Sequence, residues 1–389
     1  MHKNVNAEGL KPGWKVWRFE QLAANVNVRI DNPSESGMEH YVGLEHLDPD
    51  SLRIRRWGSP SDVEAGKLMF KAGDIIFAKR RAYQRKLGVA EFDGICSAHA
   101  MVLRAKPEAV FPEFLPFFMQ SDLFMNRAVE ISVGSLSPTI NWKTMAAQEF
   151  GLPPIEEQRR LASFLAALNG VILAKQQVLL SLEECHTSTR AQFLDEGLNR
   201  HFDKVTEKSV AWSREPLGNL VEFLDHKRVP IKEGDRSQRR GQYPYYGASG
   251  VIDSIDDYLF DEELILVGED GANVLDRSSP LAFKVKGKIW VNNHAHVLRV
   301  LPPNNIDYLV DYLESISYKP FVTGTAQPKL NKAALSGVLI PVPPGEDQTA
   351  IAGVYDQFLE SKNAIQRELK SLRNLYRVTL ANAGDTNVQ

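Results

Sequence analysis

The stretch Gly134-Ser-Leu-Ser-Pro138-Thr-Ile-Asn141 returns 190 positions later as Gly324-Thr-Ala-Gln-Pro328-Lys-Leu-Asn331, with no gap. At the same spacing Pro153-Pro154-Ile-Glu156-Glu-Gln158 lies over Pro343-Pro344-Gly-Glu346-Asp-Gln348, and Ala162, Gln176, Leu179 and Leu182 meet identical residues. Upstream, His99-Ala-Met-Val-Leu-Arg104 matches His294-Ala-His-Val-Leu-Arg299 at a spacing of 195, and Trp14 and Leu22 match Trp212 and Leu220 at 198. Internal periods of this kind decide architecture before any local propensity does. The chain is one scaffold written twice, with insertions between the anchors.

Each copy reads in the same order. A mixed region carries short strand-like runs, such as Asp74–Ala78, Ala100–Arg104, Glu263–Val267 and His296–Val300, bounded by turn residues. The double proline keeps its predecessor out of the helical region. Acidic residues follow where a helix N-terminus favours negative charge. Leu161, Phe164, Leu165, Leu168, Ile172, Leu179 and Leu182 then recur at helical steps, as do Ile351, Val354, Phe358, Ile365, Leu369, Leu372 and Leu375. Each helix is expected to run roughly 35–40 residues, ~55–60 Å, too long for a globule to swallow, so its apolar stripe is expected to pair with the other copy.

The expected fold class is therefore α+β. Two globular mixed α/β modules stand in tandem pseudo-repeat, separated and joined by two long antiparallel helices forming a coiled coil. The expected segments are 1–153 (first module), 154–200 (central helix), 201–343 (second module), 344–384 (C-terminal helix) and 385–389 (tail). Antiparallel pairing would make the helices a ruler between the modules.

With 43% hydrophobic and 24% charged residues among 389, the composition is that of a globular protein able to bury real cores. No contiguous apolar run, Leu264–Val267 included, approaches the ~20 residues that span a bilayer. The polar opening Met1–Gly13 has no leader pattern. Cys96 and Cys185 stand alone, without metal or disulfide spacing. A cytoplasmic protein with no membrane association is expected. The net charge of −3 conceals local polarity: residues 51–90 hold ten basic against three acidic side chains, and residues 226–245 six against two. Two basic clusters at comparable places in the two copies point to a polyanion.

Catalytic signatures are missing. The double prolines lack the polar and aromatic neighbours of an amino-methyltransferase loop, no GxxxxGK[ST] phosphate loop occurs, and no Ser, Cys and His set suggests a triad. Glu368-Leu-Lys370 reads as a solvated helix face. His294 and His296 would share a strand face but lack a third metal ligand.

A duplicated module ending in Pro-Pro-x-Glu-x-Gln before a long amphipathic helix resembles the specificity subunits of Type I restriction–modification systems. The resemblance covers Trp14 to Leu380 and includes Gly73-Asp-Ile-Ile-Phe-Ala-Lys79-Arg80-Arg81 with Phe92-Asp-Gly-Ile-Cys-Ser97, Tyr245-Tyr-Gly-Ala-Ser-Gly250, Val267-Gly-Glu-Asp-Gly-Ala-Asn273 and Gly324-Thr-Ala-Gln-Pro328. It implies two target-recognition domains, each reading half of a split site in double-stranded DNA, with the helices setting the gap. It further implies two modification subunits that methylate adenine, joined by translocase–nuclease restriction subunits. S-adenosylmethionine, ATP and Mg then belong to those partners, and no cofactor or metal to this non-catalytic chain.

Candidate DNA-binding residues follow from chemistry: arginine forks suit guanine, glutamine suits adenine, and lysine suits phosphate. In the first domain they are Arg53, Arg55, Arg56, Lys79, Arg80, Arg81, Tyr83, Gln84, Arg85, Lys86, Ser137 and Thr139. In the second they are Lys227, Arg228, Arg239, Arg240, Tyr245, Tyr246, Asn273, Gln327 and Lys329, with Gln327 and Lys329 standing for Ser137 and Thr139. The acidic run Asp253 to Asp270, free of Lys and Arg, is expected to face away from DNA. Competing readings are a specificity-like protein of another defence or modification assembly, or a scaffold that binds only proteins.

Overall fold

Pro153 and Pro154 act as their chemistry requires. The chain stays extended through strand Glu149–Leu152 and turns helical at Ile155. The computed structural model describes residues 10–199, 212–324 and 328–384. Its first long helix, Ile155–Asn199, has 45 residues and its second, Gly345–Gly384, has 40, so the first exceeds the expected length and reaches about 68 Å.

The glutamine of the repeated motif explains itself at each helix start. Gln158 Oε1 accepts from the Phe111 amide at 2.8 Å while its Nε2 donates to the Pro153 carbonyl at 2.9 Å. Gln348 does the same for Asn305 and Pro343, again at 2.8 and 2.9 Å. Both side chains are buried, and each satisfies two backbone groups that would otherwise be stranded.

The chain divides into two units: Met1–Gln176 with Arg367–Gln389, and Gln177–Gln366. The division runs through both long helices rather than at their ends. In unit 1 a four-stranded antiparallel sheet has the order Ala23–Val26, Met101–Ala105, Ile75–Phe77, Leu87–Val89. A second sheet of four short strands is built around Lys67–Phe70 and Gly94–Cys96. Strand Lys15–Arg18 pairs with Glu149–Leu152 and ties the module's opening to its close. Unit 2 repeats this plan: Val221–Phe223, Ala295–Val300, Leu264–Gly268 and Ala282–Val285 form one sheet, Arg240–Gly247 and Lys288–Val291 centre the other, and Ser213–Pro216 pairs with Leu339–Val342.

Each unit buries a piece of both long helices. In unit 1 Ala162 and Leu165 of the first helix share a core with Leu380 and Ala383 of the second, Phe114 and Phe118. Lys175 pairs with Glu368. In unit 2 the His186 ring stacks on Phe358 at 4.1 Å, Lys362 meets Glu183 at 2.8 Å, and Asp311 takes His186 at 3.2 Å and Arg190 at 3.1 Å. Residue numbers rise on one helix as they fall on the other, which is antiparallel pairing.

The buried stripe of the helices differs in part from expectation. Phe164 and Leu375, read as stripe residues, are exposed, whereas Tyr355 and Leu380 are buried and Tyr376 is half-buried against the core of unit 1. Phe164, Val171 and Val178 instead follow one another at seven-residue steps as an exposed apolar row. The first helix is also long and apolar enough to cross a membrane by length and composition: an 18-residue window within Ile155–Leu194 reaches a mean hydropathy of 1.4. No single run shows this, because the window accumulates from alanines and leucines with few charges between them.

Candidate nucleic-acid interface

In unit 1 strand Ile75–Phe77 delivers Lys79, Arg80 and Arg81 to one end of the sheet. Arg81 adopts φ 59°, in the left-handed region that non-glycine residues rarely enter. The turn is held against the repeated glycine loop. The Arg81 amide donates to the Pro138 carbonyl at 2.8 Å, and the Ile140 amide to the Lys79 carbonyl at 2.9 Å. Val133 and Thr139 exchange hydrogen bonds at 3.1 and 2.9 Å across a turn that begins at Gly134, φ +116°. Arg80 Nη1 lies 3.4 Å from His99 Nε2, and Arg81 Nη2 donates to Ser137 Oγ at 3.3 Å. Burial lowers the His99 pKa, assisted by Arg80, Lys79 and Lys67, so the neutral ring accepts from the guanidinium. Burial likewise lowers that of Lys79, with Arg29 adding repulsion. Leu136, at the loop tip, is 91% exposed.

Unit 2 builds the same object from different charges. Strand Leu264–Gly268 delivers Glu269, Asp270 and Gly271, each 190 positions beyond Lys79, Arg80 and Arg81. Gly271 sits at φ +94° and its amide donates to the Pro328 carbonyl at 3.2 Å, while the Leu330 amide donates to the Glu269 carbonyl at 2.8 Å. Thr323 and Lys329 exchange hydrogen bonds at 3.0 and 2.9 Å beside Gly324, φ +84°. His294 Nδ1 lies 2.8 Å from an Asp270 oxygen. Arg80, His99 and Thr139 thus correspond to Asp270, His294 and Lys329.

Glu269 anchors this second loop pair. It accepts from Arg228 Nη1 at 2.7 Å and faces Lys329 Nζ at 3.2 Å. Burial opposes its ionisation, but the Arg228 hydrogen bond, His296 and Lys329 together hold the carboxyl below the usual range.

Several candidate residues have structural duties instead. Arg85, at φ 53°, donates to Asp50 and to the Gln120 carbonyl, both at 2.6 Å, and meets Asp122 at 3.1 Å. Arg277 repeats this clamp in unit 2, at φ 53° against Glu314. Lys86 donates to the Leu44 carbonyl at 2.9 Å. Arg228 is spent on Glu269, Asp225 and the Ala295 carbonyl. Tyr245 is 1% exposed and its hydroxyl accepts from the Ile231 amide, so it stacks on no base; Tyr246 packs on Phe283. Asn273 Oδ1 accepts from the Ser279 amide at 2.8 Å and closes a turn.

Other candidates remain at the surface. Tyr83, Lys227, Arg240 and Lys329 are exposed, and Gln84, Ser137 and Thr139 are half-buried. Arg239 is shared between Asp256 at 2.9 Å and the face of Trp290. Arg55 and Arg56 pair with Asp48, and Arg53 approaches Glu91 at 3.7 Å. Arg53 and Arg55 line a different cleft of ≈ 500 Å³, with Arg373 and Arg377 of the second helix. Gln327 lies outside the described residues.

The acidic run does not turn away from the basic side chains. Asp253, Asp256, Glu262 and Glu269 take Arg236, Arg239, Arg299 and Arg228, so part of the positive charge counted in the sequence is cancelled in the fold. His296 is buried between Asp225 at 2.7 Å and the Leu330 carbonyl at 2.8 Å, while His294 turns to Asp270. Reading along the strand singled out neither Asp270 nor His99. The repeat register held the signal, because a shift of 190 sets Asp270 under Arg80.

Comparison with known proteins agrees with this duplication. A family model described as the Type I restriction modification DNA specificity domain matches residues 62–184 and again 210–372. A type I restriction enzyme specificity subunit of Haemophilus influenzae is 36% identical over 160 residues, 41% of this chain and 40% of its own length. The matched stretch therefore spans about two fifths of that relative. The MjaX specificity subunit of Methanocaldococcus jannaschii is 22% identical over 85% of this chain and 84% of its own. In fold the chain is similar to the crystal structure of a Type-I restriction-modification system S subunit from M. genitalium, with a TM-score of 0.63 at 14% identity, covering 100% of this chain and 98% of that one.

Proposed function

The chain belongs to the Type I restriction modification DNA specificity family, and from that we propose that it is the non-catalytic subunit that chooses the DNA site of a Type I restriction–modification enzyme in the cytoplasm. Each unit reads one half of a two-part duplex site. The observation that carries this is the loop pair at the strand end, built once per unit on the same hydrogen bonds while its side chains differ. A conserved backbone frame with exchanged side chains is what two different half-sites require of one scaffold.

Contacts divide by chemistry. Arg81, Lys227 and Arg240 are exposed cations suited to phosphate, whose neutralisation supplies sequence-independent affinity. The residues between the paired loops meet base edges, where sequence is read. Two modification subunits assemble on the chain, and the exposed Phe164 and Val171 of unit 1 offer apolar surface for such a contact. S-adenosylmethionine and adenine methylation belong to those subunits, and ATP, Mg, translocation and cleavage to restriction subunits.

Methylome sequencing of the host with and without this gene tests the reading. Loss of adenine methylation at a single motif of two short halves and a fixed gap is expected. An unchanged methylome, with modification subunits expressed, would sink it.

A further inference from the structure

The two loop pairs are superposable in bonding and opposite in charge, and that opposition predicts what each reads. Lys79 and Arg80 in unit 1 stand where Glu269 and Asp270 stand in unit 2, and Thr139 stands where Lys329 stands. Both first loops leave the strand at the same register, both are pinned by the amide of their third residue (Arg81, Gly271) donating to a proline carbonyl (Pro138, Pro328), and both present their second residue to a histidine.

We propose that Arg80 and Asp270 are the equivalent base-reading residues of the two units, Arg80 taking the O6 and N7 edge of a guanine in one half-site and Asp270 the N4 amino group of a cytosine in the other. This rests on the reading of the chain as a DNA specificity subunit.

Arg80 has donors to spare. Its guanidinium carries five N–H groups and uses one toward His99, so a planar fork remains for the two guanine acceptors. Asp270 runs against the electrostatics of its setting. A carboxylate set where a duplex docks is repelled by every phosphate, and base edges offer it few partners. In the major groove those partners are exocyclic amino groups, and the acid–cytosine pairing is the one that geometry favours. Nδ1 of His294 lies 2.8–3.0 Å from the two carboxylate oxygens, which orients the group while leaving lone pairs open. Asp270 therefore acts largely by exclusion. It penalises duplexes that present no amino group at that place, a specificity device that costs affinity elsewhere. Glu269 does not share this role, since Arg228 and Lys329 already engage it.

The two residues are thus expected to respond oppositely. Arg80→Ala weakens cognate binding and makes one G·C position of one half-site degenerate, with discrimination falling on the order of ten- to a hundred-fold. Arg80→Lys keeps the charge but loses the fork, so it shows the same degeneracy with an unchanged salt slope. Asp270→Asn makes one G·C position of the other half-site degenerate and strengthens binding to non-cognate duplexes.

The experiment is to read the methylation motif directed by the full chain, wild type and each variant, in cells carrying the modification subunits. Duplex binding by the purified full-length chain follows, with 7-deazaguanine, which lacks the N7 acceptor, at the position Arg80 is said to read. That substitution should weaken the wild type and leave Arg80→Ala unaffected. Retained specificity at the untouched half-site shows that each variant is folded. The inference is overturned if the motif is unchanged in the variants, if both relax the same half-site, or if the relaxed position is an A·T pair. A wild-type chain that directs no two-part motif would instead overturn the underlying reading.

Discussion

Arginine is the residue whose role depends most on its neighbours here. Arg81, Arg85 and Arg228 look alike in the sequence, yet Arg81 is exposed, Arg85 holds Asp50, Asp122 and the Gln120 carbonyl, and Arg228 neutralises Glu269. Arg81→Ala should reduce the slope of log affinity against log salt by about one, with little change in stability; titrations of a duplex at several salt concentrations measure this, and an unchanged slope removes Arg81 from the phosphate contacts. Arg85→Ala should act the other way, costing stability by about 1–3 kcal/mol through the Gln120 carbonyl it leaves unpaired, the exposed Asp50 and Asp122 returning to water at little cost, and a urea unfolding curve reads that cost directly. Asp225 supplies a pH signature. Burial opposes its charge, but His296, the Val297 amide and Arg228 lower its pKa below the ordinary 3.8. A carboxyl depressed on folding contributes stability that is full above 3.8 and disappears as pH falls through the lower folded value. Asp225→Asn should therefore flatten the acid limb of stability against pH in that window, and an acid limb as steep as the wild type's would show that the group is not responsible.

Among elements, the long helices are governed by their first turn. The Pro-Pro-x-Glu-x-Gln motif reads in sequence as a stop, a dipole-favoured acid and a polar residue of no stated purpose. In the fold that last residue is the fastener. Gln158 and Gln348 each close two backbone groups from inside the protein. Gln158→Ala should leave a buried amide and a buried carbonyl unpaired and destabilise unit 1 by about 1–3 kcal/mol per group, read as a lower urea midpoint; an unchanged midpoint would mean that water replaces the side chain. By contrast, Lys362–Glu183 is partly exposed and its loss should change stability by less than about 1 kcal/mol.

At the scale of the molecule, proximity in sequence and membership of a core part company. The last residues of the chain follow unit 2, yet Tyr376, Leu380 and Ala383 pack in the core of unit 1. Deleting residues 367–389 should therefore loosen unit 1, around Phe114 and Phe118, while unit 2 stays protected. Hydrogen exchange followed by mass spectrometry distinguishes the two, and loss of protection confined to unit 2 would contradict the assignment. A single buried leucine such as Leu380 is worth roughly 2–5 kcal/mol on truncation to alanine, so losing the segment is a large perturbation.

Repetition and periodicity are properties of order along the chain, so the duplicated scaffold, the helix starts and the main strands were legible from the residues alone. Even the correspondence of Arg80 with Asp270 lay in the register, one shift of 190 away. The fate of each charge was not legible, because charge composition ignores distance. Asp50 reaches Arg85 across 35 positions and Glu269 reaches Arg228 across 41, so basic clusters counted in the sequence are partly neutralised by acids from elsewhere. Burial of Tyr245 and exposure of Phe164 were hidden for a related reason. A helix or strand pattern defines a face, but which neighbour covers that face depends on how distant segments pack.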